Sequence, residues 1–156
     1  MRSRTLVLVG LALLGIAIIV RGQFRQTGER PDPAYSLGAR VAVPPPVMAT
    51  LRRACFDCHS EETRWPWYAR LPVASWLIEQ DVKAARGQLN FSRWTQYNAF
   101  DRAELLDKLC ELSTSRVMPL PRYLMLHREA RLTQADIVRL CDWSRAEAAR
   151  LVRGGS

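Results

Sequence analysis

The stretch Ala54-Cys55-Phe56-Asp57-Cys58-His59-Ser60 contains a single C-x-x-C-H sequence. In a chain that is exported from the cytoplasm, this spacing predicts the attachment of a c-type haem. Two thiols one helical turn apart can each add to a vinyl group of the porphyrin, and the histidine that follows supplies an axial nitrogen to the iron. The sequence therefore makes Cys55 and Cys58 candidates for two thioether bonds and His59 the candidate proximal iron ligand.

Three other uses of this cysteine pair compete with haem attachment. A zinc site needs a second pair of ligands, and Cys110, Cys141 and His127 are scattered along the chain. A thioredoxin-like redox pair opens a helix in a β-α-β setting, and no strand pattern precedes this pair. A local disulfide would leave His59 without a role. Haem attachment is the best supported of the four uses.

The charge of the chain gives little support to nucleic-acid binding. The formal net charge is +8, and half of it lies in residues 1–30, which hold five Arg and one Glu. No basic cluster in the sequence is interleaved with aromatic residues. We therefore interpret the arginines as a solvated surface and expect no nucleic-acid partner.

Residues 1–21 are typical of a membrane anchor or a signal peptide. Residues 5–20 form one uncharged apolar run with arginines on both sides, and as a helix this run spans roughly 24 Å. A hydrocarbon core is about 30 Å thick, so a cleaved signal peptide stays open as the alternative. Because no small-x-small cleavage site follows, we expect a single-pass anchor in the bacterial inner membrane. Covalent haem attachment takes place on the oxidising side, so the haem domain should face the periplasm.

Two further segments follow the predicted anchor. Residues 22–46 have no helical or strand period and include the run Pro44-Pro45-Pro46, which predicts an extended periplasmic linker. Residues 47–152 carry helical periodicity in four places and form the predicted haem-binding domain. No stretch alternates at period two for long enough to make a strand. The predicted fold class is therefore all-α, with about four short helices.

Several short motifs within residues 47–143 resemble those of the bacterial haem-binding domain family, which are small modules similar to c-type cytochromes. They are Cys55-x-x-Cys58-His59-Ser60, Thr63-Arg64-Trp65-Pro66-Trp67-Tyr68, Pro72-x-x-Ser75-Trp76, Leu89-Asn90-Phe91-Ser92-x-Trp94, Met118-Pro119 and Tyr123-x-x-x-His127. The resemblance implies one covalently attached haem c, a cytochrome-c-like helical bundle around it and redox work. It does not identify the redox partner protein.

The candidate pocket residues come from these motifs and from the aromatic turn at residues 63–68. Rings in that turn would wall a porphyrin, although in a small domain they would serve equally well as core. The candidates are Trp65, Tyr68, Trp76, Asn90 and Trp94.

The distal iron ligand decides between two functions. Met118 is the preferred ligand, because it lies in a loop between predicted helices and Pro119 stiffens that loop. His127 is the alternative. A methionine above the iron predicts an electron carrier, whereas an open distal side predicts a haem-based ligand sensor or accessory domain. A peroxidase would need a distal His/Arg pair, which is not obvious here, so we expect no enzymatic activity.

Two smaller predictions concern local contacts. An axial imidazole usually donates its second N–H to a carbonyl, for which Pro72 is the first candidate and Pro66 the second. Cys110 and Cys141 lie on the apolar stripes of two predicted helices. They are either two buried small hydrophobic residues or, in an oxidising compartment, a disulfide.

Overall fold

The computed structural model describes residues 2–24 and 32–154 of the 156-residue chain. These ranges contain eight α-helices, four 3-10 helices and no β-strand, so the all-α class is confirmed. The α-helices are α1 (Arg2–Phe24), α2 (Leu37–Arg40), α3 (Pro45–Ala54), α4 (Phe56–His59), α5 (Pro72–Gln88), α6 (Ala99–Thr114), α7 (Pro121–Leu126) and α8 (Gln134–Gly154). The 3-10 helices are Pro33–Tyr35, Trp67–Arg70, Phe91–Gln96 and Arg128–Ala130.

The first helix, α1, corrects the prediction of a membrane anchor at residues 1–21. No helix within the described ranges is both long enough and apolar enough to cross a membrane. This finding contradicts the predicted transmembrane helix and, with it, the single-pass inner-membrane location. The uncharged run of residues 5–20 is shorter than the helix, and its roughly 24 Å falls short of a hydrocarbon core of about 30 Å.

Part of the predicted linker, residues 22–46, is folded. It contains a 3-10 helix and α2, while its residues 25–31 lie outside the described ranges. Helix α2 and the residue after it place Leu37 and Val41 in the hydrophobic core, where Leu37 is fully buried. Pro33 begins this 3-10 helix, because the first turn of a helix tolerates the missing N–H.

The hydrophobic core lies between α3, α6 and α8 and the 3-10 helix Phe91–Gln96. Its largest fully buried side chains are Trp94, Phe91, Leu37, Leu51, Leu106 and Leu140. Helices α6 and α8 form the most extensive helix pair of the described chain. Cys110 of α6 and Cys141 of α8 are joined by a disulfide, which decides between the two alternatives that the sequence left open.

Helix α8 begins with a capping box. Thr133 Oγ1 accepts from the Asp136 N–H at 3.1 Å, and Asp136 Oδ2 accepts from the Thr133 N–H at 2.9 Å. The Asp136 carboxylate also accepts from the Thr50 hydroxyl at 3.3 Å and from Arg53 Nη2 at 3.0 Å. Both of these residues belong to α3, so the cap ties the last helix to the helix that leads into the C-x-x-C-H stretch.

Candidate functional site

The C-x-x-C-H stretch forms the single helical turn α4, which follows α3 at a bend. Cys55 is the bend, with φ −125° and ψ −38°. Its carbonyl accepts from the N–H groups of Cys58 at 3.2 Å and of His59 at 2.9 Å. Cys55 and Cys58 are free thiols and are partly buried. One turn of helix therefore carries two thiols and an imidazole.

The C-terminal end of α5 orients the His59 ring. Nδ1 of His59 donates to the carbonyl oxygen of Leu89 at 3.1 Å. Leu89 is the C-cap of α5, and carbonyl groups at a helix end have no partner within the helix. The structure thus puts Leu89 in the place that we predicted for Pro72 or Pro66. With the proton on Nδ1, the ring lone pair is on Nε2, which is the tautomer that a metal-binding imidazole needs.

Burial shifts the pKa values of these three side chains. It lowers the pKa of His59, against the opposing effect of the nearby Leu89 and Ala85 carbonyls. It raises the pKa of the Cys55 thiol to about 12 and that of the Cys58 thiol to about 11. In the haem-free chain the imidazole is therefore neutral and both thiols are protonated at pH 7.

Arg86 of α5 holds the backbone that follows α4. Its Nε donates to the Ser60 carbonyl at 2.9 Å, and its Nη2 donates to Thr63 Oγ1 at 2.9 Å. Arg86 and Leu89 are about one helical turn apart. The same end of α5 therefore fixes both the His59 ring and the chain immediately after it.

Five large apolar side chains between residues 67 and 77 are exposed, and we call them the apolar flank. They lie on the 3-10 helix Trp67–Arg70, directly after it and on the start of α5, the helix that packs against α4. They are Trp67, Leu71, Val73, Trp76 and Leu77. Trp76 is one of the predicted pocket residues and is 58 % exposed. Several large exposed apolar side chains so close together in the chain indicate a binding surface. Two free thiols, a neutral imidazole and the apolar flank fit the chemistry of a c-type haem, which takes two thioether bonds, an axial ligand and apolar cover.

Three other predicted pocket residues have clear places in the structure. Asn90 is buried, where its Oδ1 accepts from the Ser92 N–H at 3.0 Å and its Nδ2 donates to Glu61 at 3.1 Å. Trp94 is 1 % exposed in the core, and its Nε1 has no hydrogen-bond partner among the described residues. Trp65 is partly buried in the extended stretch after α4. Their contacts with haem stay predictions.

Both candidate distal ligands lie in residues 118–127, which we call the distal segment. Met118 is partly buried, and its N–H donates to the Leu112 carbonyl at 3.0 Å. Nδ1 of His127 donates to the Glu129 carboxylate at 3.1 Å, and its Nε2 accepts from the hydroxyl of Tyr68, a predicted pocket residue, at 2.6 Å. Since the protein already engages both nitrogens of His127, this arrangement favours Met118.

Our reading of the sequence gave no role to Asp57, which lies between the two cysteines. Its carboxylate accepts from the Tyr123 hydroxyl at 3.0 Å, from the Arg64 N–H at 3.0 Å and from the Arg64 guanidinium at 3.2 Å. The one sequence signal for this contact was that Tyr123 belongs to the motif Tyr123-x-x-x-His127. This motif does not indicate which residue Tyr123 contacts.

The fold and the site together define a small helical domain in which one C-x-x-C-H turn carries two free thiols and an oriented imidazole. A family model described as a haem-binding domain matches residues 14–146, and the chain belongs to this family. The resemblance drawn from the sequence motifs is thereby confirmed. No significant match to a curated protein or to a solved structure was found.

Proposed function

We propose that this protein binds one haem covalently through Cys55 and Cys58 and acts as an electron carrier. The observation that carries the proposal is the hydrogen bond from His59 Nδ1 to the Leu89 carbonyl. His59 lies on the same helical turn as the two free thiols. This hydrogen bond leaves Nε2 as the lone-pair nitrogen beside the two attachment points. When bound, haem supplies a one-electron Fe(III)/Fe(II) couple, and the chain supplies the thiols, the oriented imidazole and the apolar flank.

In this proposal Met118 is the distal ligand. A thioether ligand would raise the reduction potential relative to a second imidazole. If His59 and Met118 both held the iron, they would leave little room for a small molecule to bind or react, so the proposed role is electron transfer to a partner protein and not catalysis. The disulfide between Cys110 and Cys141 supports a location in an oxidising compartment.

Expression of the full chain together with haem-maturation machinery tests covalent attachment. The wild type should keep its haem through acid-acetone extraction, and the Cys55→Ser/Cys58→Ser variant should release it. A matched control is the variant Cys110→Ala/Cys141→Ala, which removes the other two cysteines and should keep haem. Release of haem from the wild type contradicts covalent binding. Absence of a reversible one-electron wave in voltammetry contradicts the carrier role.

A haem-based ligand sensor is the second candidate function. The observation that favours it is that no residue of α7, at the centre of the distal segment, is fully buried, and that only Tyr123 and Leu124 of this helix pack against a core cluster. A helix with so few packed side chains can open locally. Binding of carbon monoxide to the reduced wild type within the mixing time of the experiment supports the sensor, whereas slow or absent binding supports the carrier.

A further inference from the structure

Partial burial and polar side-chain bonds together hold the distal segment in place. No residue of α7 is fully buried, and Met125 and Leu126 are 76 % and 67 % exposed, but Tyr123 and Leu124 pack against the hydrophobic cluster that contains Cys110 and Cys141. Arg122 of α7 forms a bidentate ion pair with Asp81 of α5, in which the Arg122 side chain is 66 % exposed and the Asp81 side chain is 32 % exposed. Solvent screens an ion pair at such a site more than it screens a buried contact. A more buried hydrogen bond is therefore the better candidate for the contact that positions the segment.

The hydrogen bond between Tyr123 and Asp57 meets this condition. The Asp57 side chain is only 12 % exposed, and it accepts from the Tyr123 hydroxyl at 3.0 Å. Arg64 binds the same carboxylate through its backbone N–H and its guanidinium, which fixes the position of the acceptor. Burial, and then the charge of Asp57, raise the pKa of Tyr123, so its hydroxyl keeps its proton and stays a donor. Hydrogen bonds to a charged group are among the strong ones.

Tyr123 also contacts a second residue of the distal segment, His127. Its ring stacks on the ring of His127, with the centroids 4.1 Å apart and the planes 12° from parallel. Nε2 of His127 in turn accepts from the Tyr68 hydroxyl at 2.6 Å. Asp57, Tyr123, His127 and Tyr68 therefore form one continuous set of contacts. It runs from the turn that carries the cysteines, through the distal segment, to the aromatic turn.

We propose that Asp57 and Tyr123 are positioning residues, whose hydrogen bond holds the distal segment against α4 and so controls access to the distal side of the haem iron. Because Asp57 lies between the two cysteines, the acceptor belongs to the turn that carries the attachment points. The part of this inference that concerns the iron rests on the proposed function. The part that concerns the hydrogen bond rests on the contacts of Asp57 and Tyr123 alone.

The variant Tyr123→Phe tests the proposal, because it removes the hydroxyl and keeps the ring that stacks on His127. Tyr97→Phe is the matched control. Its hydroxyl accepts from the Asn90 N–H at 2.8 Å and contacts neither Asp57 nor the distal segment. All proteins are full chains expressed with haem-maturation machinery, and circular dichroism verifies their helix content.

The first measurement is amide hydrogen exchange at Leu124 and His127, whose N–H groups donate to the carbonyls of Leu120 and Tyr123. In Tyr123→Phe we expect both amides to exchange about tenfold faster, and in the Tyr97→Phe control we expect the wild-type rate. The second measurement is the rate at which imidazole binds the oxidised protein. It should also rise about tenfold in Tyr123→Phe alone.

The variant Asp57→Asn and the double variant Asp57→Asn/Tyr123→Phe complete a double-mutant cycle. If the two residues act through one bond, the double variant should exchange no faster than Tyr123→Phe. Wild-type exchange in Tyr123→Phe overturns the proposal, as does faster exchange with an unchanged imidazole rate. If the wild type lacks a thioether–iron band, the result counts against Met118 as the ligand. It does not bear on the hydrogen bond between Asp57 and Tyr123, because amide exchange is measured without a signal from the iron.

Discussion

The carbonyl oxygen of Leu89 lies 3.1 Å from Nδ1 of His59, although thirty residues separate the two in sequence. Leu89 ends α5, so its carbonyl carries part of the negative charge of the helix C-terminus. An acceptor of this kind fixes the ring tautomer and raises the basicity of the opposite nitrogen. The geometry of the candidate iron ligand is therefore set by the chain alone.

We expect Arg86→Gln to destabilise the protein by about 1–3 kcal/mol, because two acceptors next to the C-x-x-C-H turn lose a charged donor. Chemical denaturation of the haem-loaded protein measures this change in the free energy of unfolding. Lys83→Gln is the matched control, since Lys83 lies on the same helix and is exposed. Equal stability of the two variants contradicts the role given to Arg86.

Met118→Ala should abolish the weak far-red band of a thioether–iron bond and lower the reduction potential. The physical reason is that a thioether favours ferrous iron more than water or an added nitrogen ligand does. Met125→Ala is the control, because Met125 is 76 % exposed and should leave both readouts unchanged. If Met118→Ala keeps the band and the potential, another residue is the ligand.

Removal of the disulfide by Cys110→Ala/Cys141→Ala should lower the free energy of unfolding by about 3–4 kcal/mol, because the bridge closes a loop of roughly thirty residues. Denaturation of the oxidised full chain measures the loss. A reductant should destabilise the wild type by a similar amount and leave the variant unchanged. Quantitative thiol labelling of the unfolded, haem-free wild type should find two thiols. Four thiols would show that the bridge does not form.

The Asp136 carboxylate should make the free energy of unfolding depend on pH in the acid range. Burial acts to raise its pKa, but hydrogen bonds from Thr133 and the charge of Arg53 outweigh burial and hold the pKa at about 2. Because the folded pKa lies below the unfolded one, the stabilisation is complete above pH 4 and is lost as the pH falls towards 2.

Asp136→Asn therefore should cost about 1–3 kcal/mol at pH 7 and progressively less below pH 4. Urea denaturation from pH 7 to pH 2 measures the difference from the wild type. Asp142→Asn, at an exposed position on the same helix, serves as the control. A difference that stays constant across this range contradicts the linkage.

Several elements could be predicted because their determinants lie within a few residues of one another. The capping box at Thr133 and Asp136 is one example, and the structure has both of its hydrogen bonds. The start of α6 shows the limit of such reasoning. Asp101 and Glu104 have the spacing of a capping box, but the side chain of Asn98 caps the helix by accepting from the Asp101 N–H at 2.9 Å. Two possible capping residues three positions apart compete, and small differences in the path of the chain select one.

The sequence by itself determined the all-α class, the family and the turn that carries Cys55, Cys58 and His59, since helical periodicity and a five-residue motif are local properties. Only the tertiary structure decided that Leu89 faces His59 and that Asp57 faces Tyr123. It also decided that Cys110 meets Cys141. These partners are 30, 66 and 31 residues apart. Contacts over such separations depend on how the helices pack, and the pattern of a single helix does not contain that information.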